Sequence, residues 1–489
     1  MFSSKTSFTR LQPILFLKTL QVTFLQILTF NCFLITNIPM HSMLKRQKIF
    51  FVTILLIMII ILSTILFVPS RLQRNVDSQV FIGISYGGNT VLEAKQLVDK
   101  VKSYTNLFIL ASGTLQRDPD SMNEIGDYVV AANMYFIPYF GNYVEETLSV
   151  WLDNAKQRWG DHMLGVYYRD ELGGKMLDDY STFTDSTTGD TIRKTRYGDV
   201  VIEKTNGVTI HYELNGNINM YEPTGNNAGT YSTYCPNGTI TLKQHGGKTS
   251  TTYQQLLAAH PFKNGDDVVQ HFLTRTQNEF SFLKNSATTV LSSDYALYWY
   301  NYKAGYDVVL TQIGWNISLN QQISLCRGAA VTQEKDWGAI ITWRYTTSPY
   351  LDSGEEIYNQ LKTSYECGAK YLVLFDFYED SSSNPYGTLK EEHFNTLKQF
   401  WRDAIQNQKI KHDIIKADSV LVLPKNFGGG LRWREDTVWG VFKADETSGK
   451  LWDLTQTALN THGYALDIIY DDPPYLISPE YKNIIKFQE

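Results

Sequence analysis

The sequence predicts a (β/α)8 barrel, or TIM barrel, with a β-rich insertion after its fourth strand, a small α/β domain after it and one transmembrane helix before it. From residue 79 onward, short apolar runs alternate with amphipathic stretches, which is typical of parallel strands covered by helices. The alternation occurs eight times. A doubly wound open sheet alternates in the same way, but no repeat carries its nucleotide-binding Gly-x-Gly-x-x-Gly turn, so the closed barrel is favoured.

The eight predicted strands are short and apolar. They lie at 79–85, 106–111, 135–140, 163–168, 288–293, 307–313, 337–343 and 370–376. Between them, apolar residues recur every three or four positions, as in a helix that covers a sheet with one face. The clearest of these predicted helices are at 91–101, 268–283, 323–331, 357–365 and 394–405. Together the strands and helices predict a barrel over residues 76–410.

Residues 49–68 form an uncharged run of Ile, Leu, Phe and Val that is long enough to cross about 30 Å of hydrocarbon. Basic residues directly before this run predict that residues 1–48 are cytoplasmic and that the barrel is extracellular. A cleaved signal peptide is the alternative, but the run is longer than its usual core of roughly 7–15 apolar residues. Translation from Met43 instead of Met1 would give the same topology.

Two further regions extend the barrel. Residues 177–262 are rich in Thr, Gly, Asn and Tyr, and Asn206-Gly207 separates two alternating runs as in a β-hairpin. We expect a β-rich insertion there, either a flap over the barrel mouth or a decoration that points away from it. Residues 414–489 predict a small α/β domain that packs against the barrel, since they are few for an independent core.

Composition excludes several function classes. The formal charge is -6 and no basic stripe is present, which argues against a nucleic-acid partner. The nine histidines form none of the usual metal-binding arrays, and no cofactor motif is present, so we expect neither a metal nor a cofactor. Three cysteines follow the apolar run, which allows at most one disulfide between them. The sequence identifies no protein partner.

The residues that follow the predicted strands are acidic, aromatic or amide-bearing. In TIM barrels this end of the strands holds the active site. The candidate catalytic residues are Asp170, Glu171, Asp294 and Asp376, and the candidate substrate-binding residues are Tyr86, Asn89, Tyr139, Tyr168, Gln312, Trp343, Arg344 and Tyr345. Aromatic rings and planar hydrogen-bonding groups suit a sugar, and cleavage of a glycosidic bond uses two carboxyl groups. The predicted substrate is therefore a carbohydrate.

Two carboxylate pairings are open. Asp170 or Glu171 with Asp294 would join neighbouring strands, as a retaining glycosidase requires, whereas either residue with Asp376 would face across the barrel, as in an inverting enzyme. Asp376 is slightly preferred because it ends an unbroken apolar strand. If the strand geometry continues, Asp170 and Glu171 point in different directions and one of them has only an orienting role.

Residues 79–407 resemble the barrel glycoside hydrolases. The resemblance rests on Tyr168-Arg-Asp-Glu171 after the fourth strand, on Trp343 after the seventh, and on the appended α/β domain. In the large retaining clan of these enzymes the acid follows strand four and the nucleophile follows strand seven. The resemblance thus implies that Glu171 is the acid, although Asp170 stands where the clan has Asn. After strand seven the chain has Trp-Arg-Tyr and no carboxylate, so the clan's nucleophile has no counterpart there.

The favoured function is that of a membrane-anchored extracellular glycoside hydrolase. The alternative is a non-catalytic glycan-binding or envelope scaffold protein at the cell surface, because a fold does not determine a function. The absence of a carboxylate after the seventh strand favours the alternative, and the several carboxylates at the mouth favour the enzyme.

Overall fold

The structure is a computed structural model. It describes residues 79–141, 146–178, 183–184, 188–194, 200–212, 217–222, 230–235, 240–243, 264–279, 281–285, 288–314, 317–345, 347–376, 386–440 and 442–487. The predicted anchor at 49–68 lies outside these residues. Within the described part of the chain, no helix has the length and apolar character needed to cross a membrane.

The described strands follow the predicted alternation closely. In chain order they are β1 (Phe81–Tyr86), β2 (Leu107–Leu110), β3 (Tyr135–Phe140), β4 (Val166–Tyr168), β5 (Phe183–Thr184), β6 (Thr191–Lys194), β7 (Val200–Glu203), β8 (Thr209–Tyr212), β9 (Ile218–Glu222), β10 (Thr230–Tyr234), β11 (Ile240–Lys243), β12 (Val290–Asp294), β13 (Val308–Ile313), β14 (Asp336–Ile341), β15 (Tyr371–Leu374), β16 (Ser419–Leu423), β17 (Leu466–Tyr470) and β18 (Asn483–Lys486). Each predicted barrel strand coincides with an observed one, with ends shifted by a few residues.

Eight of these strands close into a parallel barrel in the order β1-β2-β3-β4-β12-β13-β14-β15, with β15 paired back to β1. This closure confirms the (β/α)8 barrel and rules out the open sheet. Alternate side chains of the strands point inward, as the pleat requires. They fill the barrel with a separate apolar cluster that includes Phe81, Ile109, Ile137, Leu310 and Val373. The barrel interior is therefore a packed core, and a substrate can approach only at its ends.

Helices cover the outside of the barrel. The described helices are α1 (Val91–Val101), α2 (Pro119–Ala131), α3 (Glu146–Trp159), α4 (Leu172–Asp178), α5 (Gly265–Glu279), α6 (Ser281–Asn285), α7 (Tyr298–Ala304), α8 (Leu319–Thr332), α9 (Gly354–Glu366), α10 (Glu391–Trp401) and α11 (Glu446–His462). The five predicted helices correspond to α1, to α5 with α6, and to α8, α9 and α10. The last one ends in a π-helical turn at Arg402–Gln406.

The insertion is β-rich, as predicted. Its seven described strands form one antiparallel sheet in the order β11-β10-β9-β8-β7-β6-β5, a simple meander. The predicted hairpin at Asn206-Gly207 joins β7 to β8, and Gly207 has a φ of 83°, a left-handed conformation that glycine adopts without strain.

The C-terminal region forms a three-stranded parallel sheet in the order β17-β16-β18, with α11 between β16 and β17 along the chain. It packs on the barrel helix α8. A Cβ atom at Gly328 of α8 would lie 2.6 Å from the carbonyl oxygen of Ile468, so only glycine allows this approach. Beside it, the buried Arg327 donates from Nε to Asp467 at 2.7 Å. The expected packing of this region against the barrel is confirmed.

The three cysteines of the described residues, Cys235, Cys326 and Cys367, are all unpaired thiols. Cys326 and Cys367 are buried, and burial raises the pKa of Cys367 to about 11, which keeps this thiol protonated and unreactive. The described fold is thus held by its apolar core.

Candidate functional site

The chain turns sharply where β4 ends. Arg169 and Glu171 have positive φ angles of 55° and 58°, which are uncommon for residues other than glycine. Backbone hydrogen bonds hold the turn on both sides, from Arg169 N to Phe140 O at 2.9 Å and from Glu171 N to Ser293 O at 2.7 Å. Strained backbone of this kind clusters at functional sites. The turn also ends the alternation of the strand, so Asp170 and Glu171 do not point to opposite sides.

Lys175 brings the two carboxylates together. Its Nζ atom lies 3.4 Å from an oxygen of Asp170 and 3.3 Å from an oxygen of Glu171. Lys175 is on α4, four residues after Glu171, which is the spacing at which two side chains meet on one helix face. The three side chains are each about one-quarter to one-third exposed, so water and a ligand can reach the cluster.

Inward-facing side chains of the barrel complete this cluster. The Tyr139 hydroxyl donates to Asp170 at 3.0 Å, and Gln312 Nε2 donates to Glu171 at 2.9 Å. Gln312 also donates to Ser293 Oγ at 2.9 Å, and the Tyr167 hydroxyl donates to the same atom. One hydrogen-bonded network therefore runs across the barrel mouth from β3 to β13.

The electrostatics distinguish Glu171. Burial raises the pKa of Glu171, and the negative charge of Asp170 raises it further, while Lys175 and the hydrogen bond from Gln312 lower it. The net direction is upward, so Glu171 holds a proton at a higher pH than an ordinary glutamate. For Lys175, burial lowers the pKa, but Asp170 and Glu171 outweigh it and the net pKa is raised. Lys175 is thus a stable cation between the two carboxyl groups.

Asp294, a candidate catalytic residue, is fully buried beneath α4. Its Oδ2 accepts from Gly173 N and Asn301 Nδ2, both at 2.6 Å, and its Oδ1 accepts from Gly174 N at 2.8 Å. Burial raises the pKa of Asp294 to about 6, against the lowering effect of these donors. Because its oxygen atoms are engaged by the start of α4, this geometry supports a positioning role instead of the catalytic role predicted from the sequence.

Asp376 lies on the far side of the barrel. Three strands separate β15 from β4 in either direction around the barrel. Asp376 is 1% exposed, and its Oδ1 accepts from Thr388 N at 3.1 Å. Burial raises its pKa to about 8. The structure therefore does not bring Asp376 into the Lys175 cluster.

Of three further candidate binding residues, Tyr86 and Tyr168 lie away from the mouth. The Tyr86 side chain is buried, and its hydroxyl donates to Thr90 O at 3.0 Å at the start of α1. Tyr168 is buried outside the barrel, with its ring edge against Phe282. Asn89 is exposed on the loop after β1. Tyr86 and Tyr168 pack between strands and helices, which gives them structural positions.

Trp343, Arg344 and Tyr345 form a second group after β14. The Trp343 ring packs against Tyr350 with ring centroids 5.0 Å apart, and Arg344 donates to the buried Asp352 at 3.1 Å. Asp352 lines two surface clefts with volumes of about 440 and 350 Å³. The Tyr345 hydroxyl also donates to Asp352, at 3.4 Å, so the side chains of Arg344 and Tyr345 share this carboxylate.

Sequence reasoning placed Tyr139, Asp170, Glu171 and Gln312 at the mouth, and the structure brings these four together. It missed Lys175, which the i, i+4 spacing to Glu171 could have indicated. It also missed Ser293 and Tyr167, which occupy inward positions of their strands. In the described residues, no group of three or more His, Cys, Asp or Glu side chains could hold a metal ion.

No protein-family model matches the sequence, and no curated protein matches it either. Among solved structures, the chain is similar to the GH5_18 protein of Streptomyces cattleya in complex with GlcNAc, with 9% identity, a TM-score of 0.43, and coverage of 83% of this chain and 98% of that one. It is also similar to a β-galactosidase from the psychrophilic Marinomonas ef1, with 9% identity, a TM-score of 0.44, and coverage of 83% and 72%. For the α-L-fucosidase isoenzyme 2 of Paenibacillus thiaminolyticus the identity is 9%, the TM-score 0.41, and the coverage 83% and 60%. The similarity to these proteins concerns the fold.

Proposed function

We propose that this protein is a membrane-anchored, extracellular glycoside hydrolase that cleaves glycosidic bonds with Glu171 as the acid and Asp170 as the second carboxylate. One observation carries the proposal. Two carboxyl groups meet at the carboxyl end of barrel strand β4, around one lysine, within reach of a ligand. That end of the barrel is where TIM-barrel enzymes hold their chemistry.

The separation of the two carboxyl groups suits this reaction. Because Asp170 and Glu171 each place an oxygen within 3.4 Å of the same Lys175 Nζ, these oxygens are no further apart than the sum of the two distances. In retaining glycosidases the two catalytic carboxyl groups are roughly 5–5.5 Å apart, which is within this limit. In inverting enzymes they are roughly 6.5–9.5 Å apart, and only the shortest of these separations is within it. The geometry therefore favours retention.

The electrostatics suit the two roles. Burial and the charge of Asp170 raise the pKa of Glu171, as is required of a group that must donate a proton to the leaving oxygen. Asp170 lies 3.4 Å from the Lys175 cation and accepts a hydrogen bond from the Tyr139 hydroxyl at 3.0 Å, and these two contacts hold its carboxylate at the mouth. In the proposed step, the Glu171 proton moves to the glycosidic oxygen as the bond to the anomeric carbon breaks, and the Asp170 carboxylate bonds to that carbon. Water, deprotonated by Glu171, then releases the sugar.

Other candidate residues supply substrate binding in this proposal. Tyr139 and Gln312 border the two carboxylates and offer a ring and an amide to a sugar. Tyr345 and Arg344 follow β14 and each border one of the two clefts at Asp352, where further sugar units of a longer substrate could bind. Trp343 precedes them in the chain and offers a further aromatic ring.

A non-catalytic glycan-binding protein is the second candidate function. It is favoured by the residues directly after β14, which are Trp343, Arg344 and Tyr345 instead of a carboxylate. It is also favoured by the burial of Asp376, which is closed off from the mouth by its own loop contacts.

The experiment that tests the proposal is hydrolysis of a mixed panel of polysaccharides and aryl glycosides by the full-length protein and by Glu171→Gln. The variant should lose about 10²- to 10⁴-fold in kcat, the usual contribution of general acid catalysis. The loss should be smallest for aryl glycosides whose leaving groups need little protonation. Asp170→Asn should lose activity on all of these substrates.

Asp376→Asn is the matched control, because it changes a carboxylate of the same barrel outside the cluster. Equal activity of wild-type protein and Glu171→Gln would show that Glu171, after β4, is not the catalytic acid. Absence of hydrolysis on every substrate, with glycan binding retained, would establish the second candidate function instead.

A further inference from the structure

Helix α4 carries the lysine of the site but has little stability of its own. It is seven residues long and includes Gly173 and Gly174. So short a helix is marginal in water, and glycine lowers its stability further. Its position must come from contacts with the rest of the protein. Asp294 provides them at the start of α4, through the amides of Gly173 and Gly174.

The C-terminal region provides the contacts at the other end. Arg432 lies between β16 and α11, and its NH1 donates at 2.6 Å to Asp178, the last residue of α4. The Arg432 side chain is 4% exposed, and Asp436 receives two further bonds from its guanidinium at 2.9 and 2.7 Å. The Tyr295 hydroxyl donates to the same Asp178 oxygen at 2.9 Å. A buried, bidentate arginine of this kind fixes its partners in direction as well as in distance.

The backbone of the same loop lies directly against α4. A Cβ atom at Gly440 would lie 1.9 Å from Met176 O, and one at Gly430 would lie 2.5 Å from a methyl group of Leu177. The loop therefore contacts the last turn of α4 through its backbone, so the position of α4 is coupled to that of the C-terminal region.

The Lys175 contacts are sensitive to the position of α4. Nζ lies 3.3 and 3.4 Å from the two carboxylates, which is longer than the roughly 2.7–2.9 Å of an optimal charged hydrogen bond. A small shift of α4 would therefore remove one contact or both. Lys175 is one helical turn from Glu171 and less than one turn from Asp178, so displacement of the Asp178 end is transmitted to it.

We propose that Arg432 is a positioning residue of the active site, which acts through Asp178 and α4 to hold Lys175 between Asp170 and Glu171. The C-terminal region is then a working part of the barrel mouth. The inference rests on the proposed function for its catalytic meaning, but the geometry it describes can be tested in an inactive protein.

The test is competitive acetylation of lysines in the full-length protein with acetic anhydride, quantified by mass spectrometry. Lys204, which is exposed on the β7–β8 hairpin, is the internal reference, and Lys335, ion-paired with Asp307 at 2.8 Å, reports on the barrel. In Arg432→Gln, the rate at Lys175 relative to Lys204 should rise at least about threefold, because loss of the carboxylate contacts lowers the pKa of Lys175 and exposes its amine. The ratio of Lys335 to Lys204 should stay constant.

Arg434→Gln is the matched control, since Arg434 is on the same loop and forms an exposed ion pair with Asp453. It should leave Lys175 unchanged. A folded Arg432→Gln protein with the wild-type ratio at Lys175 would overturn the proposal. If Lys335 reacts faster as well, the fold is lost, and Asp178→Asn then decides: a selective rise at Lys175 supports the proposal, and an unchanged ratio refutes it. Failure of the hydrolysis assay would bear on the proposed function alone.

Discussion

Asp376 is a carboxyl group that the barrel encloses almost completely. Its side chain is 1% exposed, and the backbone of Gly387 passes so close that an added Cβ would lie within bonding distance of Oδ1. Burial raises its pKa to about 8, although backbone hydrogen bonds from Thr388 and Gly87 lower it. Near neutral pH, Asp376 is therefore mostly protonated in the folded protein.

This residue predicts a pH dependence of stability. In the unfolded chain the pKa of an aspartate is about 3.9, so the folded protein binds the proton more tightly between about pH 4 and 8. The stability that this proton contributes is fully present below about pH 4 and is lost as the pH rises to 8. Asp376→Asn should remove this part of the slope, which is at most about 1.4 kcal/mol per pH unit.

Urea unfolding at several pH values between 5 and 8 measures this slope. The exposed Asp120→Asn is the control and should keep the wild-type slope. Equal slopes for wild-type protein and Asp376→Asn would show that Asp376 does not hold its proton in the folded state.

Among the helices, α4 shows how a neighbouring element dictates a residue type. Gly174 is inside a helix, where alanine would be more stable by about 1 kcal/mol on propensity alone. A Cβ atom at this position, however, would lie 2.1 Å from the ring of Tyr295, which is itself held by Asp178. Packing of the loop after β12 against α4 therefore requires glycine.

Gly174→Ala should destabilise the protein by about 1–3 kcal/mol, because overpacking outweighs the gain in helix propensity. Gly449→Ala in α11 is the matched control, since its Cβ would meet only the flexible end of Arg434 at 3.2 Å. We expect that control to be neutral or stabilising in chemical denaturation. A stabilising effect of Gly174→Ala would contradict the described contact with Tyr295.

At the scale of the whole molecule, the proposed anchor would hold the barrel at the extracellular side of the membrane. Its support is the uncharged run at 49–68 and the basic residues before it. In right-side-out membrane vesicles, added protease should remove a C-terminal epitope, and in inverted vesicles the epitope should be protected. Alkaline carbonate should not extract the protein.

The control variant carries Ile59→Lys and Ile61→Lys, each of which opposes insertion by roughly 2.5–3.5 kcal/mol. It should become extractable. Protection of the epitope in right-side-out vesicles would refute the proposed orientation, and a shortened chain that starts after residue 68 would identify the run as a cleaved signal peptide.

Sequence alone determined the barrel and its strand positions, because a buried parallel strand must be short and apolar and its covering helix must be amphipathic. It also determined where the carboxylates would lie, since the ends of parallel strands share one end of a barrel. Short α4 carries two glycines and no clear apolar period, so its position could not be predicted. That position depends on Asp294 and Arg432, which come from distant parts of the chain.

Only the tertiary structure decided which carboxylates cooperate. Asp170, Glu171, Asp294 and Asp376 each follow an apolar run in the sequence, which left the pairing with Asp294 and the slightly preferred pairing with Asp376 both open. Burial beneath α4 engages Asp294, and the opposite side of the barrel separates Asp376. Asp170 and Glu171 lie together because the strained turn after β4 ends the alternation of side-chain directions along the strand, and because Lys175 contacts both carboxylates. Residue types and their order along the chain are local properties, whereas burial and charge pairing depend on which distant residues the fold brings into contact.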